Sequence, residues 1–76
     1  MRLPRVTGKT LVQALKRHGF IVHKVEGSHY RLIHRDDPTT RYAIVPLHSK
    51  GTIPLGTLNH ILKTARMSVE DILKFL

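Results

Sequence analysis

Glu26-Gly27-Ser28-His29-Tyr30 lies between two runs of strong strand formers, Phe20 to Val25 and Tyr30 to His34. Two such runs split by a glycine-bearing turn read as a β-hairpin, with Gly27 in a left-handed or bulged conformation. A bulge re-aims the side chains beside it, which sets His29 at the mouth of the hairpin. The second strand alternates, with Tyr30, Leu32 and His34 on one face and His29, Arg31 and Ile33 on the other. Covering the first set with helices leaves His29 and Arg31 together on an open face. Only Ile33 argues for the opposite choice.

The flanks supply those helices. After an extended lead-in fixed by Pro4, Thr7 is placed to cap a helix over residues 8–18. Its apolar side carries Leu11, Val12, Ala14 and Leu15, and its polar side Lys9, Gln13, Lys16 and Arg17. Gly19 stops the helix, and Phe20 folds back towards Leu15. Residues 35–40, Arg-Asp-Asp-Pro-Thr-Thr, read as a turn by composition. A third strand is expected from Arg41 to Val45, ended by Pro46. Leu47 to Pro54 is a loop, and Pro54 opens a second helix whose stripe is Leu55, Leu58, Ile61, Leu62 and Ala65. Ser68 with Asp71 has the spacing of a capping box for a last helix, residues 69–76, that would bury Ile72, Leu73 and Leu76. The expected fold is α+β, in the order α-β-β-β-α with an added C-terminal helix. It comprises one domain over residues 1–76, a three-stranded antiparallel sheet and helices on one face.

A chain of 76 residues buries only about 60% of its unfolded surface, which leaves no room for a deep cofactor crevice. Lysine and arginine outnumber aspartate and glutamate 13 to 5, for a net charge of +8. That balance points to a polyanion, nucleic acid first. A membrane-surface peptide fits less well, because the polar and apolar residues are not sorted along one long helix. With no cysteine, disulfides, thiolate metal sites and thiol nucleophiles are excluded. No apolar run suits a signal peptide or a membrane span, so the expected location is the cytoplasm.

RNA carries its own nucleophile, the 2′-hydroxyl. Cleaving it by internal transesterification needs a base for that proton, an acid for the leaving oxygen and cations for the phosphate. Imidazole suits proton transfer near neutral pH, and His29 beside Arg31 meets the requirement. From spacing alone, the plainer reading of His29 comes first: a polar strand residue next to a turn. The other histidines have plain readings too. His18 would serve the helix dipole, His23 and His34 would be exposed strand positions, and His60 lies beside the apolar stripe of the second helix. His48, in a loop with Ser49 and Lys50, is either solvated or a substrate contact. No metal motif is present. Asp36-Asp37 reads as turn chemistry, and Glu70 and Asp71 complement a helix dipole. Ser28 and Ser49 show no partner arrangement for a nucleophile.

Taken in order, Leu3-Pro4-Arg5-Val6-Thr7-Gly8-Lys9, Gly19-Phe20, Gly27-Ser28-His29-Tyr30, Val45-Pro46-Leu47-His48, Gly56-Thr57-Leu58 and Ile61-Leu62-Lys63 resemble the HicA toxin family, also called YcfA-like proteins. The resemblance spans nearly the whole chain. It implies a fold like the double-stranded RNA-binding domain, a metal-independent mRNA interferase activity that halts translation, no cofactor, and a HicB antitoxin that masks the catalytic histidine. In that family the histidine follows the Gly-Ser of the hairpin, which here is His29. The chain departs from the pattern twice: Arg66 stands where a glycine is usual, and Tyr30 where a second histidine is common.

The resulting expectation is a small RNA endonuclease with His29 as general base or acid. Lys24, Ser28, Arg31, His48 and Lys50 would contact the phosphate, and Lys9, Lys16 and Arg17 would track the RNA backbone. The donor to the leaving oxygen is unidentified. The rivals are a non-catalytic RNA-binding module on the same fold and a protein that only binds a partner protein.

Overall fold

The computed structural model describes residues 3–47 and 51–76. The elements follow the expected order: α1 (Gly8–Arg17), β1 (Phe20–Glu26), β2 (His29–His34), β3 (Asp37–Pro46), α2 (Leu55–Ala65) and α3 (Val69–Leu73). The three strands form one antiparallel sheet in the order β1-β2-β3. α1 packs against β1 and β3, and α2 lies along β3. The face they cover carries Leu32, Ala43 and Val45, all fully buried, and the core is completed by Leu11, Leu15, Phe20, Leu58, Ile61 and Ile72.

Local chemistry sets the ends of α1. The Thr7 hydroxyl accepts the Thr10 amide at 3.2 Å, the cap its side chain is built to make. Gly8 is fixed by packing: a Cβ there would lie 2.3 Å from the Pro46 carbonyl oxygen and 2.5 Å from a Leu47 methyl. Only glycine lets α1 begin so close to the end of β3. At the other end Gly19 takes φ 112° and leads into Phe20, which joins Leu15 in the core. The lead-in is tied to the segment before α2, where the Ile53 amide donates to the Val6 carbonyl at 2.7 Å.

The hairpin turns through two residues, with Gly27 first and at φ 58°. The bulge lies elsewhere. Val22 pairs with Leu32 and Lys24 with Arg31, so His23 is the extra residue of β1. The bulge lets two valines three residues apart share one face of the strand, although Val25 remains exposed. With His23 inserted, both Val22 and Val25 lie opposite the inward-facing Leu32 and Tyr30. The same shift carries Lys24 to the open face.

Four expectations need correction. The turn after β2 is shorter than residues 35–40. The ladder passes from His34–Asp37 directly to Ile33–Tyr42, so β3 starts at Asp37 and residues 38–41 bulge out of the pairing. Pro38 lacks the N–H a ladder needs and suits that excursion. The last helix stops at Leu73, leaving Leu73 and Leu76 exposed; only Ile72 is buried. Phe75 turns inward in their place, its ring 5.1 Å from that of His18 and its carbonyl accepting from Arg17 at 2.8 Å. His34 is buried, at 6% exposure, instead of facing solvent. Leu55, at the start of α2, is exposed.

The capping box of α3 is formed in full, Ser68 and Asp71 exchanging hydrogen bonds of 3.0 Å. Hydrogen bonding to Ser68 holds the Asp71 carboxyl below its ordinary pKa. α2 closes with Arg66 in the left-handed region at φ 57°, ψ 46°. The Met67 amide reaches the Leu62 carbonyl at 2.9 Å and the Arg66 amide that of Lys63 at 3.1 Å, the double bond of a Schellman ending on a residue that is not glycine.

Candidate functional site

On the open face, the cross-strand register puts side chains in three rows: Ile21, Ile33 and Tyr42; Lys24, Arg31 and Ile44; and Glu26, His29 and Pro46. His29 therefore stands at the hairpin end of β2, exposed, with Arg31 two residues along on the same face and Lys24 opposite Arg31. The bulge at His23 is what adds the lysine. The Arg31 guanidinium lies 5.8 Å from the centre of the Tyr42 ring, a cation–π contact that steadies a long side chain. Lys24 meets Glu26 at 3.5 Å with both side chains well exposed, so the pair is weak and water-screened.

Beside this face lies a groove of about 310 Å³, lined by His29, Tyr42, Ile44 and Pro46 on the sheet and by Thr57, His60, Ile61 and Thr64 on α2. Because α2 runs along the edge strand, its flank at Thr57, His60 and Thr64 (one helical row) forms the second wall. The groove combines two imidazoles, a phenol ring, two hydroxyls and an apolar floor. Such a set can take up a planar ring and move protons beside it.

The remaining sequence candidates fall elsewhere. Lys9 and Lys16 line a second depression of about 410 Å³ with Thr7, Gly8, Val12, Gln13, Tyr30 and Leu47. Arg17 is occupied by the Phe75 carbonyl. Ser28 is half-buried in the turn, its carbonyl accepting the Leu47 amide at 2.7 Å, so its backbone helps hold the hairpin tip to the end of β3. His48 and Lys50 lie outside the described residues. Among the described residues no group of three or more His, Cys, Asp or Glu is placed to hold a metal ion, and no helix is long and apolar enough to cross a membrane.

Two other histidines have structural partners. His34 Nδ1 accepts the Asp36 amide at 3.2 Å, which leaves Nε2 to donate to the His18 carbonyl at 3.2 Å. His18 Nε2 lies 3.0 Å from the Arg41 guanidinium, so it must accept, and the ring is neutral. Burial, then the Arg41 charge, lowers the His18 pKa. His18 is thus a hydrogen-bond acceptor and does not serve the α1 dipole as a cation. Arg41 also donates to the Ala65 carbonyl at 2.8 Å and lies over Phe20 at 5.5 Å. The excursion at 38–41 brings it there.

Sequence reasoning missed Tyr42 and His60 as groove residues and Arg41 as the tie between sheet and helix ends. A signal for His60 was present: Thr57, His60 and Thr64 form a row of α2 without a charged residue, unlike the solvated rows of α1. Comparison with curated proteins gave no match. The model of the HicA toxin of bacterial toxin–antitoxin systems matches residues 8–67, which include α1, the whole sheet and α2, and the chain belongs to that family.

Proposed function

We propose that this chain is a metal-independent ribonuclease, the toxin of a toxin–antitoxin pair, and that His29 is its catalytic histidine. The reading joins family membership to one observation: an exposed imidazole on the open face of the sheet, with Arg31 and Lys24 on that face and a groove at its side. His29 takes the 2′-hydroxyl proton, or returns one to the leaving oxygen in the coupled step. Arg31 and Lys24 neutralise the charge gathering on the phosphate. Ser28, next to His29 in the sequence, and His48 and Lys50, which follow β3 in the sequence, are proposed to contact the same phosphate. Lys9, Lys16 and Arg17 of α1 are proposed to follow the RNA beyond the site. The substrate is mRNA in the cytoplasm, and cleavage stops translation. A HicB-type antitoxin restrains the activity by covering His29, and the whole chain acts as one domain.

The test is cleavage of RNA in EDTA by the wild-type protein and by His29→Ala, with the new ends analysed. The reading requires 2′,3′-cyclic phosphate ends from the wild type. It also requires loss of both cleavage and growth arrest in the variant, with RNA affinity retained. Equal RNA binding by both proteins with cleavage by neither would instead identify a binding module, for which Tyr42 and Arg31 offer a stacking surface.

A further inference from the structure

Transesterification of RNA expels a 5′ oxygen that leaves slowly unless it is protonated as the bond breaks. Of the groups lining the groove beside His29, Thr64 already donates to the Ile61 carbonyl at 3.0 Å. Thr57 and Tyr42 offer hydroxyls, and an aliphatic or phenolic hydroxyl is in general a poorer proton donor than imidazolium. His60 is the second imidazole on that groove, on the wall opposite the sheet. His18 and His34 are committed to Arg41 and to backbone groups at the far end of β2, and His23 lies on β1, the strand farthest from the groove.

We infer that His60 is the general acid of the cleavage step, facing His29 across the groove. The inference rests on the ribonuclease reading above. The 2′ oxygen forms a bond to phosphorus and gives its proton to His29. The bond from phosphorus to the 5′ oxygen breaks, and that oxygen takes a proton from the His60 imidazolium. The products are a 2′,3′-cyclic phosphate and a 5′-hydroxyl. The two rings end with exchanged protonation, which water resets, and no oxidant or further reactant is required. His60 is exposed, so it exchanges protons with solvent and an RNA strand can reach it. The groove is near the lower end of the range of about 300–1,000 Å³ typical of ligand sites, which suits one nucleotide held between the two rings.

The experiment compares two oligoribonucleotides cut at a position first mapped with the wild-type protein. One is natural, and the other carries sulfur in place of the bridging 5′ oxygen, so that its leaving thiolate needs no proton. His60→Ala is expected to slow the natural substrate by about 10²–10⁴-fold and to leave the sulfur substrate at the wild-type rate. His60→Gln, which keeps a hydrogen-bonding side chain, is expected to show the same split, and His29→Ala to slow both substrates. Equal losses on both substrates for the His60 variants would make His60 a binding residue and overturn the inference. Unchanged rates on both would overturn it as well, while leaving His29 and the ribonuclease reading intact. No cleavage by the wild-type protein would remove that reading and this inference with it. Thermal melting of each variant separates a lost group from a lost fold.

Discussion

His29 and His34 terminate the same strand, about 16 Å apart along it and on opposite faces, and the contrast between them organises the molecule. At the His34 end, no buried side-chain nitrogen or oxygen among the described residues lacks a partner. The ring bridges the Asp36 amide and the His18 carbonyl, His18 accepts from Arg41, and Arg41 continues to the Ala65 carbonyl. Phe20 and Phe75 pack against these rings at 4.9–6.1 Å. At the His29 end the imidazole is exposed beside cations and a groove. Histidine gives rigidity in one place and accessible chemistry in the other. The difference comes from which neighbours the fold supplies, since the residue is the same.

The largest expected effect separates the two ends outright. His29→Ala should reduce RNA cleavage by at least about 10³-fold with an unchanged melting temperature, because an exposed ring contributes little to packing. His34→Ala should do the reverse, lowering stability by about 2–4 kcal/mol while the folded fraction still cleaves RNA. Denaturant melts paired with single-turnover cleavage would show both, and loss of stability in His29→Ala would break the comparison.

A smaller effect tests the same end through its backbone. A Cβ at Gly19 would come 2.9 Å from His34 Nε2, and the residue is already at φ 112°. Gly19→Ala should therefore cost about 1–3 kcal/mol, again without changing cleavage per folded molecule. Arg66→Gly works in the opposite sense. It relieves a left-handed arginine at the end of α2 and should raise stability by about 1 kcal/mol, with the groove untouched.

The smallest effect is a pH dependence. The His18 pKa is lowered in the folded protein, so the unfolded chain takes up the proton first. The contribution of neutral His18 is present above about pH 6.5, the ordinary imidazole value, and is lost as pH falls through the lower folded value. Asp71 is also lowered, but its contribution fades only in the carboxylate range below about pH 4. Melting temperature followed from pH 8 to pH 5 should decline more steeply in the wild type than in His18→Gln. Identical slopes would show that the His18–Arg41 contact does not couple to titration.

The sheet was readable because β2 alternates except at Ile33, and a period of two leaves only one choice of faces once Leu32 is buried. α1 and α2 were readable from their stripes and from Thr7, Gly19 and Pro54. The register of β1 was harder, because two valines three residues apart conflict with alternation and the conflict is resolved by pairing with β2. His34 misled because its partners, a carbonyl from α1 and an amide two residues on, come together only when the hairpin packs against the helix. The inward turn of Phe75 depends likewise on Arg17, 58 residues away. His29 was legible as a candidate from its turn and its cations, while its groove required knowing that α2 lies along β3.

The extra residue in β1 has a consequence for how variation reaches this surface. Deleting His23 would leave Val22 opposite Leu32 and Lys24 opposite Arg31, now as successive residues of a plain ladder. Inside and outside would be kept on both sides of the deletion. The charge presented next to His29 therefore tolerates the loss of one codon at the bulge, whereas a codon lost from the unbulged stretch of β2 would turn one end of that strand inside out.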